Sequence, residues 1–404
     1  MNAVPRNAPV RGVPRACPVC AARAGEELFD NRMATCAGYD FSTPVVRCTD
    51  CDCAYAGRAL RPEDLNRYYT TLSKYDTVKS RGDISLLDRE RATQAIEFLA
   101  PVLGSIHSVI DVGCSTGVFL NALREAGVQS VFGIDPAAHA PAAAQAIFSV
   151  PVGQAQAERY DRYGEHDLVC LMAVLEHLLA PKQLLSRIAR QLKDRGRVLI
   201  EIPDAGAFDR PGDGRPLEAF GEFSNEHINY LSISDVARLA GAVDLEIERW
   251  RCVRFASCFP GLFVLLRRGP GRTLPAPDAL STEGRASSRE AVPRYIERSG
   301  QMMQQIERRL HAACTEPVLV YGAGNHTARL MSQSATLRSI GVAAVFDRNR
   351  HLQGKTIGGA PILDPERLRD FAGLTIVIST FNARREIHAT LSAAGALPLL
   401  ELYD

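Results

Sequence analysis

The run Ser108-Val-Ile-Asp-Val-Gly-Cys-Ser-Thr-Gly-Val-Phe-Leu120 constrains this chain more than any other stretch. An apolar strand pattern ends in Asp111-Val-Gly113, a turn carries the chain to Gly117, and a helix pattern opens directly after it. About one strand later, Val131-Phe-Gly-Ile-Asp135 closes a second apolar strand on an acid. This layout places a nucleotide-like ligand at the carboxyl edge of a parallel sheet, with Asp135 positioned to accept hydrogen bonds from a ribose diol. A dinucleotide fits poorly. The spacing Gly113-x-x-x-Gly117 lacks the G-x-G-x-x-G phosphate turn, and Asp111 would repel a pyrophosphate. A cationic ligand suits the place better.

These segments resemble the first two motifs of class I S-adenosylmethionine-dependent methyltransferases. The resemblance continues through Asp167-Leu-Val-Cys-Leu-Met-Ala-Val-Leu-Glu-His177 and Leu192-Lys-Asp-Arg-Gly-Arg-Val-Leu-Ile-Glu-Ile-Pro203. It implies a Rossmann-like, seven-stranded α/β core that binds S-adenosylmethionine through Asp111, Gly113, Gly117, Asp135 and Met172. The alternative is a doubly wound domain that binds another nucleotide.

Length and charge narrow the setting. At 404 residues there is room for two or three domains, and a net charge of +1 argues against a nucleic-acid surface. No apolar window reaches the length of a membrane-spanning helix. The proline- and arginine-dotted segment Met1 to Ala16 has no apolar core and does not read as a signal peptide. The expectation is a cytoplasmic protein whose eleven cysteines are metal ligands and small core residues.

Four segments follow. Residues 1–68 read as a zinc-binding module, 69–268 as the methyltransferase domain, 269–288 as a Pro/Gly/Ser-rich linker, and 289–404 as a second Rossmann-like α/β domain. In the first, Cys17-Pro-Val-Cys20 and Cys48-Thr-Asp-Cys51 are two C-x-x-C knuckles with 27 residues between them. Four thiolates close a tetrahedral shell with no open position, which points to structural Zn2+. Cys36 and Cys53 could substitute in that shell or serve as small buried side chains.

After the fifth strand, Phe220-Gly-Glu-Phe-Ser-Asn-Glu-His-Ile-Asn-Tyr-Leu-Ser232 is a dense polar cluster running into a helix capped by Ser232 or Ser234. It resembles the Glu-His-x-x-Tyr motif of the nucleotide-sugar C-methyltransferases, with Asn225 where that family often has another His. By that resemblance His227 is a base that deprotonates carbon beside a ketone, Glu226 orients it, and Tyr230 donates a hydrogen bond to substrate. The bland alternative has Glu226 and His227 capping the helix or touching the methyl donor. Tyr75 and His177 are candidate substrate contacts, and Tyr68 and Tyr69 have two readings, covering the site or packing as core aromatics.

In the last segment Gly322-Ala-Gly324-Asn-His-Thr327 follows a strand, with Asp347 ending the next. The resemblance implies that Gly322, Gly324, Asn325 and His326 contact a substrate diphosphate. Alternatives are an empty docking or dimerising domain, or a nicotinamide site. The resulting expectation is methylation of a small molecule at carbon, most concretely a nucleotide-linked keto-deoxysugar. An O- or N-methyltransferase of another intermediate and a non-catalytic binding protein remain as rivals. Oligomeric state is open.

Overall fold

The computed structural model describes residues 8–72, 84–210, 218–255, 260–270, 274–278, 287–371, 373–381, 383–393, 395 and 398–403. The central sheet has seven strands, Val152–Gln154, Ser130–Asp135, Ser108–Val112, Leu168–Met172, Arg197–Pro203, Pro260–Arg268 and Leu245–Arg254, in that spatial order. The first five are parallel, and Pro260–Arg268 runs antiparallel to both its neighbours. Leu168–Met172 is buried at every position, as a central parallel strand covered on both faces must be. Strand order reverses between Ser108–Val112 and Leu168–Met172, which opens a crevice beyond their carboxyl ends.

Local chemistry sets the flanking helices. Leu86–Leu103 starts on Ser85, whose hydroxyl accepts from the Asp88 N–H at 3.0 Å. Ile233–Gly241 starts on Ser232 with a capping box to Asp235. Among the described residues no helix is long and apolar enough to cross a membrane.

The cysteine-rich module is a small antiparallel sheet of Gly25–Asn31, Thr43–Cys48 and Ala54–Ala56, followed by a helix over Pro62–Thr71. Its fourth strand comes from far along the chain: Asn229–Tyr230 pairs with Tyr55 and Ala54. The module therefore anchors the loop that carries Glu226 and His227.

After the helix Ser288–Ala313, the carboxyl-terminal sheet orders Thr356–Ile357, Ala360–Leu363, Val342–Phe346, Val318–Tyr321, Ile376–Ile378 and Leu399–Glu401. It is parallel except for the hairpin at Thr356–Ile357. The cysteine-rich module is stitched to this domain too. The N–H groups of Ala34 and Ala37 donate to the carbonyls of Ala328 and Thr356 at 2.8 Å, and the Gly358 N–H donates to the Thr35 carbonyl at 2.8 Å. One apolar core crosses all three parts, with Val45, Phe223, Tyr230, Tyr295, Val320 and Ile357 among its members.

Candidate active site

Asp111 and Asp135 meet at the crevice of the central sheet. Asp111 is 1 % exposed, and its Oδ1 has no hydrogen-bond partner among the described residues. Burial, helped by the charge of Asp135, pushes its carboxyl up to about 8. A buried acid with an orphaned oxygen suits a cationic ligand that restores its ionised form. Asp135 ties the turn together: its Oδ2 accepts from the Ser115 N–H and its Oδ1 from the Ala137 N–H, each at 2.8 Å. Each carboxylate oxygen is an acceptor with two lone pairs, the kind of group a ribose diol donates to.

The glycines are required for a reason other than ligand approach alone. Gly113 and Gly117 sit at φ +83° and +80°, and a Cβ on them would meet Val174 at 2.7 Å and Val150 at 2.6 Å. Met172 packs with Phe98, Phe119 and Phe255 in the apolar cluster under the helix Leu86–Leu103. Asp167, at the opposite end of its strand, is held near 2: burial works against its charge, but Lys193 at 2.9 Å and the N–H groups of Ser108 and His107 outweigh it.

Beside this crevice a cleft runs between the cysteine-rich module and the loop after the fifth strand. Asp40, Phe41 and Arg58 line one wall, and His177, Glu226 and His227 the other. The Tyr68 hydroxyl donates to Glu226 Oε1 at 2.9 Å and accepts from Asn225 Nδ2 at 2.8 Å. Burial first, then the Glu226 charge, raises the Tyr68 phenol, so Tyr68 stays a donor across the working pH range. The ring of His177 places Nδ1 3.0 Å from the Glu226 carbonyl oxygen and stands edge-on to the ring of His227, with centroids 4.9 Å apart. Glu176, on the short turn Leu175–His177, is buried with neither carboxyl oxygen hydrogen-bonded among the described residues. Burial and the neighbouring Glu201 push it up to about 8.

Three expected roles meet a different geometry. Tyr230 does not face the cleft: the pairing of Asn229–Tyr230 with the module turns its ring into the core against Phe223 and Phe208. Its buried hydroxyl has no hydrogen-bond partner among the described residues. His326 is an internal residue of the carboxyl-terminal domain. Its Nδ1 lies 2.9 Å from Ser379 Oγ and its Nε2 2.7 Å from the Tyr403 hydroxyl, so neither nitrogen is left for a ligand. Burial and the nearby Arg329 depress it to about 3 and keep it neutral. The Asn325 Oδ1 accepts from the Asn225 N–H at 3.3 Å, joining the glycine turn to the loop bearing Glu226.

Gly322 is at φ +102°, and a Cβ there would meet Thr380 at 2.5 Å, whereas one on Gly324 would meet nothing. Gly324 is thus the turn residue with open space before it. Tyr75 lies outside the described residues.

The four cysteines converge. Cys17 and Cys51 sulfurs are 3.5 Å apart and those of Cys20 and Cys48 3.4 Å, spacings near those of thiolates around one tetrahedral ion. Cys53 is buried alongside, its thiol 3.5 Å from the Ala54 carbonyl oxygen. Cys36 lies elsewhere, bridging to Tyr39 and to Ile357 of the carboxyl-terminal domain.

Residues 86–249 match the family of methyltransferase domains. No curated protein matches the chain at a significant level. Among solved structures, the S-adenosylmethionine-dependent methyltransferase of Clostridium acetobutylicum ATCC 824 is 13% identical, covering 48% of this chain and 96% of its own, with a TM-score of 0.36. Magnesium protoporphyrin IX methyltransferase of Synechocystis PCC 6803, solved with bound SAH, is 16% identical over 52% of this chain and 100% of its own, with a TM-score of 0.40. The CcbJ methyltransferase of Streptomyces caelestis is 14% identical over 50% and 99%, also at 0.40. The family match, falling on the stretch that holds the crevice, carries the assignment. The sheet and that match define a class I methyltransferase domain. The protein is an S-adenosylmethionine-dependent methyltransferase.

Proposed function

We propose that this enzyme methylates carbon next to the ketone of a small acceptor, most concretely a nucleotide-linked keto-deoxysugar, bound between the cysteine-rich module and the loop of Glu226 and His227. The supporting observation is that His177, Glu226 and His227 line one cleft just beyond the strand end that borders the donor crevice. The sulfonium of the donor supplies an activated methyl, so the protein's work is alignment, exclusion of water and removal of a proton. Alignment alone can be worth about 7–11 kcal/mol.

In this reading His227 takes the proton from the acceptor carbon. Tyr68 and Asn225 fix Glu226, whose backbone carbonyl in turn accepts from His177. The open turn at Gly324, ahead of the helix Asn325–Gln333, is the contact for the acceptor's diphosphate. Cys17, Cys20, Cys48 and Cys51 hold structural Zn2+, which fixes the module that forms the far wall.

Two measurements test this. Calorimetry with S-adenosylhomocysteine should show micromolar binding that Asp111→Ala abolishes. With a nucleotide-linked keto-deoxysugar, solvent deuterium should enter the carbon beside the ketone in the wild type and not in His227→Ala. Exchange that persists in the variant removes His227 as the base, and a methyl found on oxygen or nitrogen replaces the carbon reading.

A further inference from the structure

Glu176, His177 and His227 bring one carboxylate and two imidazoles together from two separate loops. Their donor atoms all lie within 4.8 Å of one another. Glu176 is 2 % exposed, and neither of its oxygens has a hydrogen-bond partner among the described residues. Such a group is expensive to keep dry unless something cationic meets it. His177 is oriented for that purpose. Its Nδ1 faces the Glu226 carbonyl at 3.0 Å, which places the proton on Nδ1 and makes Nε2 the unprotonated nitrogen. That Nε2 is 3.8 Å from Glu176 Oε1, too far for a hydrogen bond. It is the separation expected of two ligands that each sit about 2.0–2.2 Å from a shared ion at an open angle.

Carboxyl groups outnumber the guanidinium among the ionisable neighbours of Glu176. Glu201 and Glu222 act on Glu176 together with Arg91, and Arg91 is engaged by Glu201 at 2.9 Å. Two nitrogens and one carboxylate oxygen suit borderline divalent ions such as Zn2+, Co2+, Fe2+ or Ni2+, in preference to Ca2+ or Mg2+. The cysteine cluster, by contrast, offers four sulfurs and no open position.

We propose that Glu176, His177 and His227 form a second, oxygen- and nitrogen-ligated binding site for a divalent transition-metal ion at the cleft, distinct from the four-cysteine site. Three protein ligands leave positions open toward the cleft for water or an acceptor oxygen. An ion held there takes the lone pair of His227, so filling the site silences that imidazole as a base. Ion binding stands without the carbon-methylation reading; the inhibitory consequence rests on it.

The test uses the full chain, stripped of metal, given one equivalent of Zn2+ and then titrated with Co2+ by visible absorption and calorimetry. One further Co2+ per chain is expected, with ligand-field bands and no thiolate-to-cobalt charge transfer. Glu176→Gln and His177→Ala should each weaken that binding at least tenfold, with melting curves confirming that both variants fold. The absence of a second equivalent, cobalt entering only with thiolate charge transfer, or affinities unchanged in both folded variants would overturn the site. Methyl transfer should fall in parallel with cobalt occupancy. Cobalt that binds as described without slowing methyl transfer would leave the site standing and remove His227 as the base.

Discussion

Asp111 sits where an ionised carboxylate is hardest to keep, fully buried and facing a second acid. The folded protein holds a proton there up to about pH 8, while the unfolded chain releases it in the ordinary carboxylate range. Between those limits the folded state binds more protons, so stability falls as pH rises and levels off above about 8. Asp111→Asn should remove its share of that slope, leaving the part due to Glu176, and leave the ligand-free protein more stable at pH 7, by on the order of a few kcal/mol. Denaturant unfolding at pH 5 and pH 8 measures it, and a variant that loses stability with pH as the wild type does would contradict the assignment. A sulfonium should reverse the penalty. Affinity for S-adenosylmethionine relative to the uncharged thioether S-adenosylhomocysteine should rise with pH toward 8 in the wild type and stay flat in Asp111→Asn. Both acids were legible as residues that end strands, because an apolar run closing on Asp is a local pattern. Tyr230 was not legible in this way. Its distance along the chain from Glu226 says nothing of which face it takes, and a two-residue strand pairing with Ala54 decides that. The surroundings of His326 were hidden for a similar reason: its partners Ser379 and Tyr403 are more than fifty residues away.

Among the elements, the cysteine-rich sheet and the strand Asn229–Tyr230 should stand or fall together. Cys48 ends the strand Thr43–Cys48, which pairs with Ala54–Ala56, which in turn pairs with Asn229 and Tyr230. Arg15 adds a tie, donating to Asn229 Oδ1 at 2.8 Å and to the Ile228 carbonyl at 3.2 Å. With the ion proposed for its four cysteines, a sheet this small would depend on that ion to fold. Chelation, or Cys48→Ser, should therefore raise amide exchange in residues 224–230 at least tenfold, about 1.4 kcal/mol of local opening. The helix Leu86–Leu103 should keep its protection. Mass-spectrometric hydrogen exchange reads both segments, and unchanged protection at 224–230 would separate the knuckles from the loop of Glu226 and His227. The knuckle spacing and the two sheets were plain from sequence, since C-x-x-C pairs and period-matched apolar runs are local signals. The shared strand was hidden, because its two residues carry no periodicity and its partner lies some 175 positions upstream.

At the scale of the whole molecule, Arg329 decides how the three parts are held. Its guanidinium is fully buried and donates to Asn31 of the cysteine-rich module at 3.2 Å and to the Phe223 carbonyl at 2.7 Å. It also reaches the Ala219 carbonyl at 3.4 Å and lies over the Phe220 ring at 5.4 Å. Asn31 closes the circle by donating to the same Phe223 carbonyl at 3.3 Å. Every hydrogen-bond acceptor here is a neutral oxygen, so the arrangement fixes positions more than it neutralises charge. Only a planar fork reaches the module and the loop at once, and a lysine offers a single point of contact. Arg329→Lys and Arg329→Met should each destabilise the protein by roughly 2–4 kcal/mol, since both leave buried acceptors without donors. The loop released from Phe223 carries Glu226 and His227, whereas the donor crevice is built from the strands Ser108–Val112 and Ser130–Asp135 and the turns that follow them. Both variants should therefore bind S-adenosylhomocysteine within about twofold of wild type while kcat falls at least tenfold. Thermal melting and calorimetry at a temperature where the variants remain folded, set beside turnover, separate these effects. Equal loss of donor affinity and turnover would mean that Arg329 supports the whole fold and not the placement of the loop.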